Sequence, residues 1–169
     1  MNIDEEYKKM LLKHIDQFEI KEYESKYQNQ VMCLGIKTLA DEVDEENRYV
    51  ELKILAETFS KNLKEEYKKP ESKMWILVNG NLVYGYTSII KDHIRGFYVI
   101  PQLRGTGLAT KLLKKIISFS VYDDIFLKVV HYNKRARNFY LKNGFKDVED
   151  FYENNGNLKI TVMKFSKTN

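Results

Sequence analysis

The sequence predicts a single mixed α/β domain in which a mostly antiparallel sheet is flanked by helices and two central strands run parallel. Three observations carry this. Ile94 to Ser120 reads as a strand, a glycine loop and a helix in immediate succession. Ile125 to Val130 is a continuous apolar strand joined to its predecessor by that helix, which makes the pair parallel. Asn79-Gly80 and Asn154-Asn155-Gly156-Asn157 are turn signals between strand-like runs, so hairpins flank the parallel pair.

Composition fits one domain spanning 1–169. The chain is 43% hydrophobic and 31% charged, enough apolar content for its own core. Its 28 basic residues nearly balance 24 acidic ones, so the net +4 does not by itself indicate nucleic-acid or membrane binding. The lone Cys33 excludes an internal disulfide or a cysteine-based zinc cluster. His14, His93 and His131 lie too far apart for metal-ligand spacing, so no metal is expected. Asp4, Glu5 and Glu6 stand where a targeting segment would be basic, and no apolar stretch approaches the ~20 residues of a membrane span. The expected location is a reducing cytoplasm.

In chain order, Ile3, Tyr7, Met10, Leu11, His14 and Ile15 recur at helical spacing, an extra N-terminal helix within 1–16 in front of a core over 17–166. Phe18 to Tyr23 alternates as a first strand. Ser25 is placed to cap a helix running to Thr38 or Leu39, with Tyr27, Val31, Leu34 and Thr38 inward and Cys33 as a small buried or half-buried residue. An acidic run from Asp41 to Glu46 precedes a second helix traced by Leu52, Leu55, Ala56, Phe59, Leu63 and Tyr67, which stops before Pro70. The acids suit the N-terminus of that helix. Met74 to Val78 and Leu82 to Ile90 form a hairpin, and Lys91-Asp92 turns into the strand His93 to Ile100, where Gly96 marks a bulge or a close backbone approach.

Pro101 ends that strand. Past Gly107, Leu108, Leu112 and Ile116, with Ala109, Leu113, Ile117 and Val121, give a helix with one buried face. Asn133 is a good N-cap and Gly144 a good C′ residue for a short helix that puts Ala136, Phe139 and Tyr140 on one face. Phe145 to Tyr152 and Leu158 to Phe165 close the sheet as a hairpin.

The chemistry concentrates at Arg104-Gly105-Thr106-Gly107-Leu108-Ala109. Gly105 and Gly107 let the backbone turn sharply and approach a ligand, and free amides at a helix N-terminus suit a phosphate or pyrophosphate. No Gly-Lys-Ser/Thr follows, so this is not a Walker loop, and the three-glycine dinucleotide spacing is absent. The loop lies at the carboxyl end of the sheet, where open α/β sheets bind ligands.

Together with Asn133-x-x-Ala136-x-x-Phe139-Tyr140-x-Lys142-x-Gly144-Phe145, the Arg-x-x-Gly-x-Ala run after Val-Ile-Pro resembles the Gcn5-related N-acetyltransferase (GNAT) family. The motifs cover Phe97 to Phe145, and the surrounding elements extend the likeness over about Phe18 to Phe165. The resemblance implies a GNAT-like sheet whose two parallel strands splay apart beside a bulge to admit a pantetheine arm. It implies acetyl-coenzyme A as cofactor, with backbone amides of Arg104, Gly105, Thr106, Gly107, Leu108 and Ala109 around the pyrophosphate and Tyr98 and Val99 along the pantetheine. It implies direct attack by an amine, with the Val99 amide meeting the oxyanion, Tyr140 protonating the departing sulfur and Asn133 orienting the cofactor or its neighbouring chain. A tyrosine of ordinary pKa ~10 is protonated at neutral pH and can give a proton to a thiolate.

The base is not fixed by the motif. His131, past the fifth strand, is one candidate, and Glu42 or Asp44 acting through water is another; His93 lies at the wrong end of its strand. The acceptor is an amine of a small molecule or of a peptide or protein, and an acidic connection at Asp41 to Glu46 would favour a cationic one. Tyr84, Tyr86, Tyr98 and Tyr152 are pocket candidates that serve equally well as packing residues.

Two further readings stand beside the enzyme. One is a non-catalytic acyl-coenzyme A-binding regulatory module. The other is acetylation of an aminoacyl-tRNA, raised by Lys111, Lys114, Lys115, Lys128, Lys134, Arg135, Arg137 and Lys142, although coenzyme A phosphates and solvated helix faces account for these charges. The final hairpin and the N-terminal helix are candidate homodimer surfaces.

Overall fold

Apolar and β-branched residues dominate Ser72–Asn79 (β2) and Leu82–Ile90 (β3), and these strands form the most buried part of the sheet. The computed structural model describes residues 3–40, 57, 60–61, 68–153 and 158–168. The remaining strands are Glu19–Glu22 (β1), His93–Val99 (β4), Asp124–Val130 (β5), Lys146–Glu153 (β6) and Leu158–Ser166 (β7). The helices are Ile3–Lys13 (α1), Gln28–Ala40 (α2), Leu108–Phe119 (α3) and Lys134–Lys142 (α4). All seven strands join one sheet in the order β1-β2-β3-β4-β5-β7-β6. Every neighbouring pair is antiparallel except β4 and β5, as the helix-joined strands predict.

Local chemistry sets the turns. Asn79 pairs with Leu82, so the hairpin turn is Gly80-Asn81, one residue later than the Asn-Gly signal. Gly80 takes a positive φ of 59°, which a two-residue hairpin needs at its first central position. On β4, Ser88 faces Gly96 while Ile89 faces Ile94, which leaves Arg95 as the extra residue of a bulge beside the glycine.

Three expectations about the helices need correction. Cys33 is exposed, because the inward stripe of α2 follows Tyr27 and Val31 with Leu34 half-buried, and residue 33 falls off that stripe. Val121 is not on the face of α3: the helix ends at Phe119, Ser120 leaves helical geometry with ψ 135°, and Val121 is 89% exposed. Ser25 opens a 3-10 turn at Ser25–Tyr27, and Glu24 takes the capping position before it. The side chain of Thr38, the acidic run 41–46, the helix expected from Leu52 to Tyr67 (residues 57 and 60–61 apart) and the turn 154–157 lie outside the described residues.

Helices on both sides bury the sheet. Met74, Ile76, Tyr84, Tyr86 and Tyr98 pack with Tyr27 and Val31 of the α2 segment and with Leu11 of α1. Ile89, Ile94, Ile125, Leu127 and Val129 pack with Leu113 and Ile116 of α3 and Tyr140 of α4. α1 lies against the 3-10 turn Pro101–Leu103 that leads into the glycine loop. Among the described residues no helix is long and apolar enough to cross a membrane.

Between two interior strands, hydrogen bonds from Ser166 Oγ (2.5 Å) and Lys164 Nζ (3.3 Å) tie Asp124 at the start of β5 to the end of β7. The Ser166 bond first, then Lys164, holds the Asp124 carboxyl below its usual range; the Lys159 ammonium first, then the Thr161 hydroxyl, does the same for Asp150 on β6.

A depressed carboxylate stabilises the fold fully above its unfolded pKa of ~3.9, and that contribution is lost as pH falls through the folded value. An Asp124→Asn, Asp150→Asn double variant should therefore have a lower urea midpoint than the parent at pH 7, and the gap should narrow below about pH 4; a gap independent of pH would remove the carboxylates as its source. A Cβ at Gly85 would sit 2.6 Å from the Tyr98 carbonyl oxygen and 2.9 Å from Val99 Cγ2. Gly85→Ala should cost about 1–3 kcal/mol in equilibrium unfolding by pushing β3 from β4, and an unchanged unfolding midpoint would contradict that close approach.

Candidate active site

β4 and β5 meet at one pair of residues and then separate. His93 faces Phe126, and the Phe126 amide donates to the Asp92 carbonyl at 2.8 Å. No later residue of either strand pairs across this seam, so parallel strands that begin as neighbours leave a gap toward their carboxyl ends. The gap opens into a cleft of about 1650 Å³ walled by β4, β5, the glycine loop and α4. That volume exceeds the ~300–1,000 Å³ of an ordinary small-molecule pocket and suits a long ligand.

Two signals in the sequence build its mouth. Gly105 and Gly107 take φ of 78° and 83°, and Gly107 is the N-cap of α3. The first intrahelical bond is Lys111 N to Gly107 O, so the preceding amides of the first turn have no helical acceptor. Thr106 braces the loop: its hydroxyl donates to the Leu103 carbonyl at 2.7 Å and accepts from the Leu108 amide at a long 3.4 Å. The Leu108 side chain anchors the loop from below in the core.

The second motif forms the opposite wall. The Asn133 side chain accepts from the Ala136 amide at 3.0 Å and caps α4, while Gly144, at φ 90°, releases the chain into β6. This fixes Tyr140, 7% exposed, in an aromatic group with Phe139 (5.3 Å), Phe145 (5.5 Å) and Phe97 of β4 (6.0 Å). The packing role and a place on the cleft wall therefore coincide in one residue.

Of the residues singled out from sequence, Tyr98, Val99, Arg104, Gly105, Gly107, Ala109, Asn133 and Tyr140 line this cleft. Thr106 and Leu108 stand behind it. His131 is exposed at the end of β5, where its amide donates to the Lys159 carbonyl at 2.9 Å, and it is not part of the wall. His93 stacks on Phe126 at 5.4 Å beside Asp92, at the closed end of the strand pair. Tyr86 and Tyr98 line the cleft, Tyr84 packs on Phe18 and Tyr152 is exposed.

Arg95, Tyr132 and Asn138 also line the cleft and had no motif to reveal them. Arg95 sits on the bulge, which breaks the alternation by which strand residues are assigned to a face. The bulge serves a second purpose at Gly96: a Cβ there would lie 2.8 Å from the Tyr86 ring, so the glycine lets that ring lie across β4. Among the other cations, Arg137 is paired with Asp147 and Lys115 lies 4.5 Å over the Trp75 ring. Among the described residues, no group of three or more His, Cys, Asp or Glu could hold a metal ion.

Comparison with known proteins agrees with this geometry. A family model described as an acetyltransferase (GNAT) domain matches residues 38–167. Similar solved structures include a GNAT-family acetyltransferase from Staphylococcus aureus Mu50, with TM-score 0.69, 17% identity, and 89% of this chain and 99% of that one covered. Another is the spermidine N-acetyltransferase of Vibrio cholerae in complex with CoA and spermine, with TM-score 0.63, 16% identity, and 90% and 97% covered. A Bacillus anthracis chain solved with acetyl coenzyme A matches with TM-score 0.55 and 20% identity over 60% of this chain and 66% of its own. No curated protein matches the sequence.

Removing the cap tests how the second wall is held. Asn133→Ala should destabilise the protein by about 1 kcal/mol in denaturant unfolding, with Asn133→Asp recovering most of it; equal losses in both would show that the side-chain cap contributes nothing.

Proposed function

Because the chain belongs to the GNAT acetyltransferase family, we propose that it transfers an acetyl group from acetyl-coenzyme A to a primary amine of a small molecule, peptide or protein. The observation that carries this reading is the parting of β4 and β5 after a single bridge, with Val99 on one wall of the gap and Tyr140 on the other. The residues present fit the cofactor. Its phosphates match the glycine loop with Arg104 and the basic start of α4 at Lys134 and Arg135, and its extended arm matches the gap.

Acetyl-coenzyme A supplies a thioester whose acyl carbon an amine can attack. In the proposed reaction the Val99 amide donates to the carbonyl oxygen as charge builds on it. The new C–N bond forms as the C–S bond breaks, and Tyr140 Oη gives its proton to the sulfur. The aromatic group around Tyr140 holds that hydroxyl in place and keeps water from the sulfur. The amine gives up its proton before attack, to His131 at the exposed end of β5 or to water acting with Glu42 or Asp44. Nothing in this sequence of steps needs a covalent enzyme intermediate.

Tyr140→Phe keeps the ring and removes the proton. It should slow amine-dependent thiol release by about 10²-fold while calorimetry gives the parent's affinity for acetyl-coenzyme A. An undiminished rate would strip Tyr140 of its role, and failure of the parent to bind acetyl-coenzyme A would remove the reading altogether.

A further inference from the structure

The charge on the cleft wall is one-sided. Arg95, Arg104, Lys128, Lys134, Arg135 and Lys142 line it, and no described lining residue is a carboxylate. These cations fall into two sets. Arg104 belongs to the glycine loop and Lys134 and Arg135 to the start of α4, the end that suits the phosphates of the proposed cofactor, with Lys142 in the last turn of that helix. Arg95 and Lys128 lie at the other end. Each is two residues past the single bridge between His93 and Phe126, so the two flank the gap where the strands begin to part. Val99 stands four residues beyond Arg95, roughly 13 Å along an extended strand.

The two residues are held differently. Lys128 Nζ lies 3.8 Å from Glu153 Oε1 and 4.5 Å over the Phe151 ring, which fixes its position and partly offsets its charge. Arg95 is exposed, and its guanidinium has no hydrogen bond or ion pair with the described residues. As the extra residue of the bulge it has no partner in the register with β3. A guanidinium so placed, with its planar fork of donors uncommitted among the described residues, matches a carboxylate and repels a second ammonium.

We propose that Arg95, assisted by Lys128, binds a carboxylate on the acceptor, so that the substrate is an amino carboxylate: a small molecule carrying both the reacting amine and a carboxylate. The inference rests on the acetyl-transfer reading above and gives it a substrate class. An amino carboxylate brings its negative group to Arg95 and its amine toward Val99. A polyamine would bring further positive charge to a wall that already carries six cations among its described residues. Tyr86, whose ring lies across Gly96 beside the bulge, supplies an aromatic surface between the two groups.

The test is a thiol-release assay at saturating acetyl-coenzyme A on amino acids from glycine to 6-aminohexanoate, each paired with the amine that lacks its carboxylate. Spermidine, cadaverine and a lysine-rich peptide are run alongside. The expected result is at least one pair in which the carboxylate raises kcat/KM tenfold or more, with the polyamines and the peptide below it. Arg95→Gln should collapse that ratio toward one through a raised KM for the amino acid, Arg95→Lys should keep part of it, and acetyl-coenzyme A affinity by calorimetry should stay within twofold of the parent. Preference for a polyamine or the peptide would overturn the substrate class while acetyl transfer stood. A tenfold loss of cofactor affinity in Arg95→Gln would assign Arg95 to the phosphates and overturn it also. Cofactor binding without thiol release on any amine would overturn both readings.

Discussion

The architecture depends on a single backbone contact between two parallel strands. β4 and β5 are joined at His93 and Phe126, and beyond that pair neither strand satisfies the other. Backbone amides and carbonyls left without partners are costly unless something else meets them. In this sheet the parted strands face a cleft, and under the proposed function the same fault that weakens the centre of the sheet offers hydrogen-bonding groups to an extended ligand. The antiparallel pairs on either side make the fault tolerable. β2 and β3 are the best-buried strands, and β7 carries β5 along its whole length.

The helices complete what the strands begin. α3 buries Leu108, Leu112, Leu113 and Ile116 against the sheet, which fixes the loop at its N-terminus over the mouth of the gap. α4 is short and mostly polar, and it is held by its Asn133 cap and by the ring of Tyr140 among Phe97, Phe139 and Phe145. Through Phe97, that aromatic group spans the gap between β4 and the second wall. Under the proposed function packing and chemistry are not competing explanations for Tyr140, because the packing is what sets its ring in the cleft wall.

Charge adds a second layer to the geometry. Of the cations that raised the nucleic-acid reading, Arg137 is engaged with Asp147 and Lys115 over Trp75, while Lys128, Lys134, Arg135 and Lys142 line the cleft. The strand bulge adds Arg95 to those that line it. One inserted residue thus changes both the shape of the gap and its charge.

Much of this was legible in the residues themselves. Glycine and asparagine at fixed offsets dictate loop and cap geometry locally, so the loop at Gly105 and Gly107, the cap at Asn133, the stop at Gly144 and the bulge beside Gly96 could be read without coordinates. Helix-joined apolar strands likewise dictated the parallel pair. Tertiary structure decided what depends on neighbours distant in sequence. It placed Arg95, Tyr132 and Asn138 on the cleft wall and His131 outside it, turned Cys33 to solvent, and ended α3 before Val121. Periodicity assigns a residue to a face only while the repeat is unbroken, and it carries no information about which strand stands opposite. At a bulge, a helix end or a seam between splayed strands, the packing of the whole sheet decides the outcome.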